Sequence, residues 1–141
     1  MVSQVYDQAR TISELVNAMS SLVDYLVFEG EESGMFPNAK LPTLDTEIWF
    51  DQELCEIMYS FYEKPMCPNQ VLQRATALPE ASIRASLTQE VVRRLKNTSE
   101  SLPKSVICDI LSVFSQKMVN SGHSVSSAQY ILVHGVTKYL E

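Results

Sequence analysis

The stretch that decides the fold covers residues 40–95. It opens as KLPTLDTEIWF (40–50), passes through FYEKPMCPN (61–69) and closes as ALPEASIRASLTQEVVRRL (77–95). In the first part Leu44, Thr46, Ile48 and Phe50 alternate with Asp45, Glu47 and Trp49, the two-residue period of a half-buried strand. Asp51, Gln52 and Glu53 predict a turn. Residues 54–62 (LCEIMYSFY), rich in aromatic and branched side chains, predict the returning strand of a β-hairpin. Residues 64–82 hold Pro65, Pro68 and Pro79 and keep no period, which predicts an irregular link across a surface or between two parts. Ser86 and Gln89 then form a capping-box pattern for a helix with Leu87, Val91 and Leu95 on one face. Arg93, Arg94 and Lys96 fall off that stripe.

On the N-terminal side, Val2, Val5, Ala9, Ile12, Val16, Met19, Val23 and Leu26 recur at steps of three and four, predicting an amphipathic helix over 2–27. Its end, residues 22–28, is apolar enough to form a strand instead. Gly30 and Gly34 flank a polar loop that Pro37 and Asn38 extend. On the C-terminal side, Pro103 precedes a helix with Val106, Ile110, Phe114 and Met118 in step, and Gly122 is placed to end it. Ser124 is placed to cap a last helix bearing Ile131, Leu132, Val136 and Tyr139. The fold class is therefore α+β: an N-terminal amphipathic helix, an antiparallel β-hairpin, then a bundle of about three helices. The expected division is 1–63 and 64–141.

The bulk numbers bound the function. At 141 residues, 45% hydrophobic and 20% charged, the chain has the composition of one globular domain. No apolar run reaches membrane-spanning length and no signal segment is evident, so an intracellular protein is expected. Cys55, Cys67 and Cys108 are odd in number and never in C-x-x-C, which reads as reduced thiols without a zinc site; His123 and His134 add nothing to a metal case. The net charge of -6 argues against nucleic acid, but it is unevenly spread. Residues 1–62 carry two basic and eleven acidic groups, residues 63–104 seven basic and four acidic, and the rest is neutral.

That basic island is the main candidate for binding. Lys64, Arg74, Arg84, Arg93, Arg94 and Lys96 suit a groove that follows a phosphate backbone without reading bases. They suit equally a solvated helix face on which Glu90 and Arg94 pair at i,i+4. Asp45 and Glu47, two apart on a strand, share a face and so offer a carboxylate pair of the kind that holds a divalent metal. The polar side of a half-buried hairpin explains them more simply. Trp49, Tyr59, Phe61 and Tyr62 suit base stacking, though cross-strand packing is the commoner use. No nucleophile elbow, P-loop or dinucleotide fingerprint is present.

Taken in order, Leu41-Pro42-Thr43-Leu44-Asp45, Lys64-Pro65, Ala77-Leu78-Pro79 and Glu90-Val91-Val92-Arg93-Arg94 resemble the region after the catalytic centre in reverse transcriptases of animal retroelements. There the palm runs into the thumb. The resemblance implies a helix after the catalytic turn over residues 2–19 and a hairpin near the primer strand at Leu44 and Asp45. It also implies a thumb-like segment over 64–141 that grips an RNA/DNA template–primer duplex. The family's Tyr/Phe-x-Asp-Asp turn and its earlier metal-binding aspartate are absent from this sequence. Polymerisation by this chain alone is not expected, no catalytic or metal-ligating residue is assigned, and Mg²⁺ would belong to the missing palm. The sequence then reads as a fragment with at most weak duplex binding. The other reading is a small helical protein–protein interaction module, with exposed apolar faces that also favour self-association.

Overall fold

The structure is a computed structural model that describes residues 11–23 and 25–141. It divides into two compact units, Met1–Leu41 and Pro42–Glu141. In the first, α1 spans Ile12–Ser20. Thr11 starts it with a complete capping box: the Glu14 amide donates to Thr11 Oγ1 at 3.2 Å and the Thr11 amide to Glu14 Oε2 at 3.1 Å. The part of the expected 2–27 helix that falls on residues 2–10 lies outside the described residues. After Ser20 the described residues 21–23 and 25–32 form neither helix nor strand, and a 3₁₀ turn follows at Ser33–Met35.

The expected hairpin is a three-stranded meander, β1 (Leu41–Thr43), β2 (Thr46–Asp51) and β3 (Glu56–Phe61), in the order β1-β2-β3. Strands β2 and β3 pair antiparallel with Ile48 opposite Tyr59, Trp49 opposite Met58 and Phe50 opposite Ile57. Asp45 is therefore not a strand residue. With Leu44 it makes the turn between β1 and β2, Leu44 taking a φ of +56°. Only one end of the meander is packed. Met58 and Ser60 are buried, whereas Phe50 (60% exposed) and Ile57 (69% exposed) face solvent. The half-buried strand expected from Leu44 to Phe50 is thus exposed at both of those residues.

Three helices follow: α2 (Glu80–Lys96), α3 (Lys104–Asn120) and α4 (Val125–Leu140). Helix α2 begins six residues before Ser86, behind Pro79, because Ile83 extends the apolar stripe back one turn: Ile83, Leu87, Val91 and Leu95 all pack in the core. Pro79 supplies no side-chain cap, but its missing N–H removes one unsatisfied donor from the helix start. Helix α3 starts after Pro103, and Ser124 caps α4 by accepting from the Ser127 amide at 3.2 Å. Phe114 and Met118 from α3, and Ala128 and Ile131 from α4, complete the core. Each large side chain buried there contributes about 1.5–3 kcal/mol.

The irregular link is held by its backbone. The Val71 amide donates to Ser121 Oγ at 2.8 Å and the Arg74 amide to the Ser121 carbonyl at 3.0 Å. The Asn69 carbonyl accepts from Asn120 Nδ2, and the Leu72 carbonyl lies 2.9 Å from His123 Nε2. Four of its backbone groups are thus met by the corner between α3 and α4, which lets a long link stay ordered without a ladder of its own.

Helices α2 and α4 run in the same direction, since Arg84 lies over Tyr130, Val91 against Gly135 and Glu100 beside Tyr139. At their closest approach a Cβ on Gly135 would sit 2.6 Å from Val91 Cβ. Gly135→Ala is expected to destabilise the chain by about 1–3 kcal/mol. Thermal denaturation of Gly135→Ala, Val91→Ala and the double variant checks this. The two losses should be partly non-additive, because removing the Val91 methyls relieves the contacts with its Cγ atoms, while the Val91 Cβ that alanine retains still crowds the new methyl.

Candidate functional site

Asp45 and the Glu90, Arg93 and Arg94 side chains of α2 meet at one place, where β3 leaves the sheet and α2 ends. Arg94 is only 4% exposed. Its guanidinium lies over two rings, 4.2 Å from the Phe61 centroid and 4.4 Å from that of Phe114. It donates to Glu90 Oε1 at 3.0 Å through Nε and to Glu63 Oε1 through Nη2. The second oxygen of Glu63 takes Lys117, a buried lysine of α3 that also donates to the Pro68 carbonyl at 3.2 Å. Arg93 chelates Glu90 with both contacts at 2.8 Å and pairs with Asp45. Three cations (Arg93, Arg94, Lys117) and three carboxylates (Asp45, Glu63, Glu90) thus form one balanced network.

A latch of small polar residues sits beside it. Asn97 Nδ2 donates to Asp45 Oδ2 at 3.1 Å. Thr98 Oγ1 donates to the Arg94 carbonyl at 2.9 Å and accepts from the Phe61 amide at 3.3 Å. The Tyr59 amide donates to Ser99 Oγ at 2.9 Å and the Tyr59 carbonyl accepts from the Ser99 amide at 2.8 Å. The free edge of β3 is thereby closed from Tyr59 to Phe61 by the residues that follow α2, so the open backbone groups at that end are satisfied within the chain.

These contacts revise the sequence reading. Arg94 is not on an exposed face with Arg93 and Lys96; it stands three residues after Val91 and seven after Leu87, on the buried stripe itself. Arg93 is nearly half exposed but is paired with Glu90 and Asp45. Arg74 and Arg84 are half exposed and share Glu80, at 3.7 and 2.7 Å. Only Lys64 and Lys96 of the six expected cations lack a carboxylate partner among the described residues. Asp45 is engaged by Arg93 and Asn97, so it does not form an open metal-binding pair with Glu47. Leu44 stands 87% exposed at the tip of its turn. Glu63, Lys117 and Thr98-Ser99 were not singled out from sequence. A charged residue on an apolar stripe is a signal for Lys117, which stands between Phe114 and Met118; Glu63 and Thr98-Ser99 carry no such signal.

Among the described residues no group of three or more His, Cys, Asp or Glu is placed to hold a metal ion, and no helix is long and apolar enough to cross a membrane. Cys55, Cys67 and Cys108 are free and exposed. Comparison with protein-family models, curated proteins and solved structures finds no match to this chain.

Burial pushes the Glu63 carboxyl up, but hydrogen bonds from Lys117 and Arg94 outweigh it and hold the group below its usual value of 4.5. Burial dominates at Glu90 and raises it. The signs are opposite. A lowered carboxylate contributes stability that is present above pH 4.5 and lost as pH falls through its folded value, while protonating Glu90 on the way down relieves a penalty. Glu63→Gln is expected to cost about 3–5 kcal/mol at neutral pH, because it leaves Arg94 and Lys117 buried without their shared anion. Melting curves from neutral to strongly acidic pH should show that the loss of stability below pH 4.5 is smaller in the variant than in the parent.

Proposed function

We propose that this chain is the palm-to-thumb segment of a reverse-transcriptase-like protein, a non-catalytic element that stands beside a template–primer duplex and contacts it by charge. One observation carries this reading. Two of the four motif segments on which the resemblance rests supply residues that lie far apart in sequence yet converge at a single joint: Asp45 from the first, and Glu90, Arg93 and Arg94 from the last, with Glu63, the residue before Lys64-Pro65, between them. The joint also divides the basic island by role. Arg93 and Arg94 hold the fold, and Lys64 and Lys96 are left to face a phosphate backbone. A specific observation favours the second reading, a protein-docking module: Phe50, Leu54 and Ile57 form an exposed apolar patch at the unpacked end of the meander.

Two measurements test the proposal. The purified chain is expected to incorporate no nucleotide on any template–primer with Mg²⁺ or Mn²⁺, because the sequence lacks the aspartates that place the two metal ions. An RNA–DNA hybrid, followed by fluorescence anisotropy at several salt concentrations, is expected to bind weakly. The double variant Lys64→Gln, Lys96→Gln should keep its melting temperature and lower the salt slope by up to about two units. No hybrid binding at low salt, together with self-association abolished by Phe50→Ser and Ile57→Ser, would replace this reading with the docking module.

A further inference from the structure

The seam between α2 and α4 holds a second feature, distant from the charged joint. The two helices touch closely at Val91 and Gly135, and toward the start of α2 the seam is faced by Ala81 and Ala85, whose side chains are too short to fill it. An open groove of about 310 Å³ results. Its wall on α4 is formed by Tyr130, His134 and Lys138 at successive steps of four, which keeps them on one helical face. Its wall on α2 carries Arg84, Thr88 and Gln89.

Three properties of this groove have no structural purpose that the packing explains. Tyr130 is 58% exposed, so its ring is not core. It nevertheless belongs to an ordered column: the Arg84 guanidinium carbon lies 5.8 Å from its centroid, and the His134 ring is near parallel to it at 6.0 Å and 16°. No carboxylate lines the groove, although the chain as a whole carries a net charge of -6. Glu80, the nearest acid, serves Arg84 and Arg74 together, so two guanidinium groups share one negative charge and one positive charge remains unanswered.

We propose that the α2–α4 groove binds a single nucleic-acid strand, with a base stacked against the Tyr130–His134 column and the flanking phosphates held by Arg84 and Lys138. The inference rests on the nucleic-acid reading above and moves its centre from Lys64 and Lys96 to this seam. Flat rings interleaved with cations suit alternating bases and phosphates, which is how strand-binding surfaces work without reading sequence. An acidic peptide would use the cations but has no need of the stacked rings. The dimensions also agree. Tyr130 and Lys138 are about 12 Å apart along the helix axis, close to the rise of three or four stacked nucleotides. A rigid duplex meets the rim of a seam between two helices, whereas a single strand can enter it.

The test uses the full chain and a fluorescein-labelled oligothymidylate of about twelve nucleotides, titrated by anisotropy at several salt concentrations. Tyr130→Ala is expected to weaken binding about tenfold, and Tyr130→Phe, which keeps the ring, to stay within about twofold of the parent. Lys138→Gln should lower the salt slope by about one unit. Both positions are exposed, so melting temperatures should be unchanged. Binding that survives Tyr130→Ala but is lost in Lys64→Gln, Lys96→Gln would overturn the groove and leave the broader nucleic-acid reading standing. Absence of any oligonucleotide or hybrid binding would sink both. Displacement by polyglutamate at equal charge, with no effect of Tyr130→Ala, would mean that the seam takes acidic protein chains and would also overturn the proposal.

Discussion

A guanidinium taken out of water must be answered by charge, by hydrogen bonds or by a polarisable surface, and Arg94 is answered by all three. Glu63 and Glu90 supply the charge and the acceptors, and the faces of Phe61 and Phe114 supply the surface. Those four residues come from the chain leaving β3, from α2 and from α3. Arg94 therefore fixes three elements at once, and its own position is fixed by the helix that carries Val91 and Leu95 into the core. Lys117 on the second oxygen of Glu63 adds α3 again and, through the Pro68 carbonyl, the start of the irregular link. Replacing arginine here by another cation keeps the charge and loses the planar fork that meets two carboxylates and two rings together.

The consequence for function is one of allocation. Basic residues used to hold a fold are not available to hold a ligand, and the joint consumes the pair that looked most like a phosphate grip. What remains at the surface is of two kinds. The far end of the meander presents Leu54, Phe50 and Ile57 to solvent. The α2–α4 seam presents cations and stacked rings with no acid among them. The closed edge of β3 matters for the first of these. With Thr98 and Ser99 on that edge, contacts between copies would go through side chains of the sheet face rather than through added strands on β3.

Much of this architecture was legible in the sequence, where local rules act alone. Helices α3 and α4 follow from their apolar steps and from Pro103, Gly122 and Ser124 at their ends, and the antiparallel pairing of β2 with β3 follows from composition. Strand β1 was hidden by Pro42, which reads as a breaker yet is tolerated on an edge strand. The start of α2 was hidden by the Ser86–Gln89 pattern, a sound local signal overridden by the burial of Ile83. The charged joint was hidden for a deeper reason. Glu63, Arg94 and Lys117 are each ordinary surface residues by composition, and only the tertiary contacts that bring 63, 94 and 117 together make them interior. The same holds for Asn97-Thr98-Ser99, which carries no meaning until β3 lies beside it.

The account stands on Arg94 as the residue that joins sheet and helices. Native-state hydrogen exchange on Arg94→Lys tests it most directly, since lysine keeps the charge but not the fork or the stacking. The account predicts that protection of the Tyr59 and Phe61 amides, which donate to Ser99 and Thr98, falls together with that of the α2 core amides at Val91 and Leu95. Unchanged protection across β3 and α2 would contradict it. Arg94 would then be an accessory to the fold rather than its joint.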